Sequence, residues 1–302
     1  MTILEHLLRT TPPREPIASL DAWLERLSAS PYAAPIERAL WAGFEADRLG
    51  YAFAGAYGAA LQRLLGIAAP AKLSLCATEP GGAHPRAITT KLEKVGGEMF
   101  VRGEKTFATL ASVADELLIV ASRGVGSDGK NRLRLVRVKP KANGVTIKDR
   151  ENTHFAPEIP HAVVTLLNVV VRDDDVLPGD AYTEYLKPFR TIEDAHVLAA
   201  TLGYVIREAR ANDFTPALVE CAVPLVLALG EVVKRPPLDP IAHIALAGLF
   251  TNARRLIAEH DAEWEKAPSE TRDRWRRDMG LLMIAENART KRTEAAWKTL
   301  SG

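Results

Sequence analysis

The spacing of hydrophobic positions changes twice along this chain. Up to about residue 71, apolar side chains recur at the period of a helix with one buried face. From 72 to 180 they gather in short β-branched runs punctuated by turn residues. From 181 onward the helical period returns. This order predicts an α+β, multi-domain chain. Its parts are an N-terminal helical domain over 1–71, a central antiparallel β-barrel or sandwich over 72–180, and a C-terminal helical bundle over 181–302.

In the first part, Ile3, Leu4, Leu7 and Leu8 mark a short helix before the breaks at Pro12, Pro13 and Pro16. Ser19 can cap a helix over 20–27, because its hydroxyl can accept from a free first-turn N–H. A long helix is expected over 36–65, with Ala39, Leu40, Phe44, Leu49, Phe53 and Tyr57 at helical spacing. Its glycines Gly50, Gly55 and Gly58 predict close packing of neighbouring helices. In the last part, helices are expected over 182–211, 216–233, 240–265 and 269–299. Pro224 should kink the second of these, since it lacks the N–H for its i−4 bond. Trp275, Met279, Leu282 and Met283 should share one face of the last.

Strands are expected over 74–77, 88–93, 99–102, 117–122, 133–138, 145–148 and 163–171. The links carry Gly96-Gly97, Gly124 to Gly129, Asn143-Gly144 and Pro157 to Pro160. Gly-Gly and Asn-Gly supply positive φ, which is hairpin chemistry. No helix separates the strands, which argues for antiparallel neighbours and against a Rossmann sheet.

Charge and composition narrow the function classes. The chain has 39 Lys and Arg against 38 Asp and Glu, a net charge of +1. No global field steers it to nucleic acid or to an anionic membrane. No uncharged apolar run reaches the ~20 residues a spanning helix needs; 221–230, interrupted by Pro224, falls well short. The N-terminus lacks a basic start followed by a long apolar run, so no signal peptide and a cytoplasmic location are expected. Cys76 and Cys221 have no metal or redox spacing and read as reduced thiols.

Several motifs have plain readings. Gly124-Val-Gly-Ser-Asp-Gly129 matches GxGxxG, but the following Lys130-Asn-Arg-Leu-Arg-Leu alternates like a strand, so a hairpin is expected in place of a dinucleotide loop. Asp173, Asp174 and Asp175 read as a solvated loop, since adjacent carboxylates point different ways and lack a second set; no metal is expected. His154 and His161 lack ligand partners and read as surface histidines. Arg132, Arg134, Arg137, Lys139 and Lys141 read as a solvated strand face.

Thr78-Glu79-Pro80-Gly81-Gly82 is different. It places a hydroxyl, a rigid turn and two permissive residues directly after a strand. Exposed N–H groups and a threonine at a strand end suit hydrogen bonding to a flat heteroaromatic ligand or its phosphates, and equally suit a polar loop that closes a barrel.

Read as a whole, the run from Leu75 to Ser112 resembles the acyl-CoA dehydrogenase family. Leu75-Cys-Ala-Thr78-Glu79-Pro80-Gly81 is similar to the family's loop ending T-E-P-G. Gly103-Glu104-Lys105-Thr106-Phe107-Ala108-Thr109 is similar to its G-x-K-x-W-I-T run. Ala199-Ala200-Thr201-Leu202-Gly203 is similar, more loosely, to the helix that opens the family's C-terminal bundle. The resemblance implies FAD bound between the β domain and the C-terminal helices. It implies an acyl-CoA thioester substrate and α-proton abstraction by a carboxylate with hydride transfer to flavin N5. Leu75, Ala77 and Thr78 would lie against the flavin ring, with the Thr78 hydroxyl on its pyrimidine edge. Phe107 would cover the ring and Thr109 would sit near N5. Ala83 and His84 would lie near the phosphates, where the family has Gly and Ser.

The departures bear on function. The aromatic is Phe where the family has Trp. The Arg-x-Gln-Phe-Gly run that supplies a phosphate-binding arginine is replaced by Ala211-Asn-Asp-Phe-Thr-Pro. The N-terminal part is short by several helices, and the chain ends before the segment that usually carries the catalytic glutamate. Alignment on Leu202-Gly203 puts Glu193 at the position a minority of the family uses for that base. The leading expectation is an FAD-dependent oxidoreductase acting on the CH–CH group of an acyl thioester, with an electron-transfer partner and as a homodimer or homotetramer. The alternatives are a non-catalytic relative acting as a partner subunit or ligand-binding protein, and a flavin-dependent monooxygenase or oxidase.

Overall fold

A computed structural model describes residues 1–67, 71–151 and 153–302. Helices open and close the chain and strands lie between them, packed as two units. One unit comprises Met1–Pro70, His154–Glu158 and Phe189–Gly302; the other comprises Ala71–Thr153 and Ile159–Pro188.

The helical unit carries α1 (Ile3–Arg9), α2 (Leu20–Ser28), α3 (Pro35–Glu45) and α4 (Leu49–Leu65). It continues with α5 (Lys187–Ala211), which starts in the other unit, then α6 (Pro216–Val232), α7 (Pro240–Glu259), α8 (Ser269–Asp278) and α9 (Glu286–Ser301). Local rules set several starts. The Ser19 hydroxyl accepts from Ala22 N–H, and Thr2 and Glu5 form a reciprocal capping box on α1.

The helix expected over 36–65 is two helices. Asp47 accepts the Ile17 N–H at 3.0 Å and pairs with the Arg48 guanidinium at 2.7 Å, and the backbone is extended on both sides of it, at Ala46 and Arg48. The helix expected over 269–299 is also broken, by a 3₁₀ turn at Met279–Met283. Trp275 and Leu282 are buried while Met279 and Met283 are exposed, so the four do not share a face. Arg289 donates to the Leu282 carbonyl at 2.6 Å and anchors that turn. The helix expected over 240–265 ends at Glu259 and passes into a 3₁₀ turn, Asp261–Lys266. Pro224 stands inside α6.

Of the glycines expected in close helix packing Gly55 is so placed, since a Cβ there would meet the Ala42 Cβ at 2.4 Å, but the tightest helix contact lies elsewhere. A Cβ on Gly43 would meet the Ala200 carbonyl oxygen at 1.9 Å, and one on Gly203 would meet the Leu40 oxygen at 2.2 Å. Backbones of α3 and α5 therefore touch there, which only glycine permits. Gly58 faces open space, so the packing role expected of it is absent.

The sheet unit carries β1 (Leu73–Cys76), β2 (Lys91–Val95), β3 (Glu98–Thr109), β4 (Glu116–Val125), β5 (Asn131–Val138), β6 (Val145–Asp149) and β7 (His161–Val171). The order is β1-β4-β2-β3-β7-β6, with β5 against β4. The sheet is mixed, where a wholly antiparallel one was expected: β1 runs parallel to β4, and β2 meets β4 in parallel at Lys91 and Ser122. The cause is a crossover, since β2 and β3 intervene in the chain before β4 returns beside β1.

Gly96-Gly97 turns β2 into β3 with φ of +61° and +94°. Gly124 to Gly129 turns β4 into β5, and Gly126 N–H donates to Lys130 O at 2.8 Å. Asn143-Gly144 makes no hairpin, because β6 pairs with β7 and not with β5. The inward residues, among them Val101, Ala108, Leu117, Ile119, Val136 and Val164, form one apolar core.

Candidate functional site

Two segments of the sheet unit are joined into one surface. Beyond β1, Thr78 makes an isolated antiparallel bridge with Phe107 of β3. Thr106 N–H donates to the Thr78 carbonyl at 2.8 Å, and the Ser74 hydroxyl donates to the Thr109 carbonyl at 2.7 Å. The next residues form a tight loop. Gly82 N–H donates to Glu79 O at 2.7 Å and Glu79 N–H to Gly82 O at 3.1 Å, with Gly82 at φ +94°. Leu75 and Ala77 are buried beside this joint, and Thr78 and Thr109 are half-buried.

A buried ion pair fixes the joint from behind. Lys105 is 0 % exposed and Glu79 2 %. Lys105 Nζ lies 2.6 Å from Glu79 Oε1 and 2.5 Å from the Val120 carbonyl. The other Glu79 oxygen accepts from Thr89 N–H at 2.7 Å and from the Thr89 hydroxyl at 2.6 Å, and Thr90 N–H donates to Oε1 at 3.1 Å. Burial alone would raise the Glu79 carboxyl, but the Lys105 and Thr89 contacts outweigh it and bring the group down to about 2. The two side chains form a buried ion pair, with both Glu79 oxygens accepting hydrogen bonds and Lys105 Nζ bonded to a carboxylate and a carbonyl, the kind of added contact a buried pair needs to be tolerable.

The outer side of the joint carries an aromatic and basic cluster. Phe107 is 38 % exposed, and its ring stacks on His161 with centroids 4.2 Å apart and planes at 23°. The Arg150 guanidinium lies 5.7 Å from the Phe107 centroid, within cation–π range, and donates to the Thr106 carbonyl at 2.8 Å. The Thr109 hydroxyl sits 3.1 Å from His161 Nδ1. Burial and the Arg150 charge hold the His161 imidazole below its ordinary value. The surface-histidine reading is thus corrected for His161, which is half-buried with two partners, whereas His154 is exposed. Thr78 keeps its hydroxyl without a hydrogen-bond partner among the described residues.

Ala83 is half-buried; His84 is exposed, and its Nδ1 accepts from Arg86 N–H at 3.3 Å to cap a one-turn 3₁₀ helix. Glu193 belongs to the helical unit, on α5, and keeps part of its surface open. Burial, then the neighbouring Asp194 carboxylate, pushes its carboxyl up to about 8 against the pull of Arg190 and Arg292. Asp194 is paired with Arg289 at 2.9 Å and with Arg292. On α5, ahead of the run 211–216, Arg207 donates to Pro13 O at 2.5 Å and Arg210 to Leu7 O and Thr10 O at 2.6 and 2.7 Å. Those arginines tie down the first residues of the chain. Asp173–Asp175 form a one-turn helix in which Asp175 accepts from Arg172 N–H at 2.8 Å. Burial pushes the Cys76 thiol up to about 11, so it stays protonated and inert. Sequence reasoning missed His161, Arg150 and the Glu79–Lys105 pair. Each depends on strand pairing that no local pattern announces.

The family model "Acyl-CoA dehydrogenase, middle domain" matches residues 74–169, the stretch that holds the joint and its cluster. A 3-(aryl)acrylate reductase of Clostridium sporogenes (strain ATCC 15579) is 25 % identical over 142 residues, covering 47 % of this chain and 37 % of that protein. The chain therefore spans well under half the length of that curated relative. Among solved structures, butyryl-CoA dehydrogenase from Megasphaera elsdenii superposes with a TM-score of 0.69 at 15 % identity, covering 98 % of this chain and 96 % of that one. PigA with FAD and proline gives a TM-score of 0.64 at 12 % identity, covering 99 % and 96 %. These structures share the fold. No helix among the described residues is long and apolar enough to cross a membrane.

Proposed function

We propose that this chain, which carries the acyl-CoA dehydrogenase middle domain within that family's fold, binds FAD and oxidises the Cα–Cβ bond of an acyl thioester. The observation that carries the reading is the joined surface of Thr78, Phe107 and Thr109. It offers an apolar floor from Leu75 and Ala77, an uncommitted hydroxyl at Thr78 and an exposed aromatic ring at Phe107. Those are the elements a flat, hydrogen-bonding heterocycle needs. Ala83 and His84, with the adjoining backbone N–H groups, are assigned to the cofactor's phosphates.

When bound, the flavin accepts hydride at N5. The residues of this chain do the remainder. Glu193 would take the α-proton as general base, and Thr78, Phe107 and Thr109 would hold the ring that receives the β-hydrogen as hydride. A carboxyl near 8 is a stronger base than an ordinary glutamate and suits the weak acidity of a thioester α-carbon. The partners that go with this reading are an acyl thioester such as acyl-CoA, an external electron acceptor, and further copies of the chain as a cytoplasmic homodimer or homotetramer.

The test is direct. Purified protein is incubated with FAD, passed through gel filtration and examined for flavin absorption; protein that stays colourless overturns the reading. Anaerobic addition of acyl-CoA to the coloured protein should then bleach it.

A second reading rests on Arg207 and Arg210, both engaged with backbone carbonyls, and on the run 211–216, which holds no arginine to offer a cofactor's phosphates. In it the chain is a non-catalytic relative that binds a thioester without redox chemistry. Acyl-CoA that binds without bleaching bound flavin would favour it.

A further inference from the structure

We propose that His161 is a positioning residue for the flavin-facing wall, fixing the Thr109 hydroxyl and the Phe107 ring together and making the flavin's properties respond to imidazole protonation. The inference rests on the flavin reading above and assigns a role to a residue outside the two loop motifs.

Three contacts converge on one side chain. His161 opens β7 directly opposite Thr109 in the antiparallel β3–β7 ladder, so its backbone is held by strand pairing. Its Nδ1 is 3.1 Å from the Thr109 hydroxyl. Its ring is stacked at 4.2 Å on Phe107. A threonine hydroxyl is otherwise a free rotor that can donate or accept. Against a neutral imidazole it has one settled direction: either it donates to Nδ1 and keeps its lone pairs for a ligand, or it accepts from Nδ1–H and keeps its proton. A protonated imidazole allows only the second. Protonation therefore changes what Thr109 offers, and adds a positive charge against the Phe107 face.

Among the described residues, few charged groups surround the ring. Arg150, at the exit of β6, is the one whose charge bears on His161, and its backbone N–H donates to the His161 carbonyl at 2.8 Å. Asp149 on β6 stands opposite the next residue, Ala162. On the β3 side the neighbours are Phe107 and Thr109, neither of which titrates in this range.

The experiment reads the FAD-loaded protein by visible spectrum and midpoint potential from about pH 5 to about pH 9, bracketing the ordinary histidine value near 6.5. Wild type should show a break in potential against pH below about 6.5 that Thr109→Val abolishes. His161→Phe keeps a ring against Phe107 but loses the contact to the hydroxyl. It should shift the spectrum as Thr109→Val does, and the double variant should add nothing. His161→Asn places an amide near the Nδ1 position; it should restore the wild-type spectrum at neutral pH yet show no break. A His161→Asn protein that keeps the wild-type break overturns the proposal, even if His161→Phe does not fold. In flavin-free protein, the His161 ring followed by NMR should titrate below 6.5 and move in Thr109→Val; an unmoved titration also overturns it. Failure of wild type to hold FAD overturns the parent reading instead, and the NMR arm still reads the contact.

Discussion

At the scale of single residues, the base role proposed for Glu193 is open to direct test. Its carboxyl is pushed up to about 8 by burial and by Asp194, which Arg289 and Arg292 pair. If it is the base, the reductive half-reaction requires its ionised form, so flavin bleaching by acyl-CoA should accelerate as pH rises and level off above about 8. Glu193→Gln should lower that rate by roughly 10²–10⁴-fold, the usual worth of a positioned general base, while FAD stays bound. Stopped-flow bleaching across pH checks both, and an unchanged rate in the variant removes Glu193 from the mechanism. The same shift predicts a stability effect that needs no cofactor. Between 4.5, its ordinary value, and 8 the folded state holds a proton at Glu193 that the unfolded state has released. Stability from this group is therefore full below 4.5 and declines as pH rises through 8. Denaturant midpoints of Glu193→Gln should fall less steeply over that window than those of wild type.

At the scale of elements, the Glu79–Lys105 pair locks the loop after β1 to β3. Removing either partner leaves an uncompensated charge in a fully buried place, at a cost of ~3–5 kcal/mol. Glu79→Gln and Lys105→Met should each show that loss in denaturant unfolding, and the double variant should lose less than the sum. Additive losses would mean the pair is not coupled. The Glu79 carboxyl lies at about 2, below its ordinary 4.5, so its ionisation stabilises the fold above 4.5 and that stabilisation is lost as pH falls toward 2. Glu79→Gln should unfold less steeply in acid than wild type. This lock also marks how far sequence reading reaches. Ser19 as a cap and Gly96-Gly97 as a hairpin were legible, because each depends on residues a few positions apart. So were the helix–sheet–helix order and the Thr78 and Phe107 motifs. Lys105 reaches Glu79 across 26 positions, and Thr109 reaches His161 across 52. Nothing local encodes such pairings. The parallel placement of β1 beside β4 was hidden for the same reason, and the break at Asp47 arose because Ile17, far back in the chain, supplied the competing donor.

At the scale of the whole molecule, the chain has two compact units, so a single unfolding transition cannot be assumed. Calorimetry is then the informative probe, because it resolves transitions separately. A ligand that binds only the folded form stabilises it by RT ln(1 + [L]/Kd), ~2.7 kcal/mol at a hundredfold excess over Kd. FAD should therefore raise the transition of the unit that carries Thr78, Phe107 and Thr109, by an amount that grows with FAD concentration. Thr78→Val keeps the shape of the side chain and removes only the hydroxyl that stands free, so it should fold normally and shrink the FAD-induced shift by about 1 kcal/mol, one lost hydrogen bond. The two results are linked: the hydroxyl has no partner among the described residues, so its loss costs the unliganded protein little and the liganded protein one contact. A Thr78→Val protein with an undiminished shift would take the hydroxyl off the ligand's edge. FAD that raises no transition at any concentration would take the flavin out of the molecule altogether.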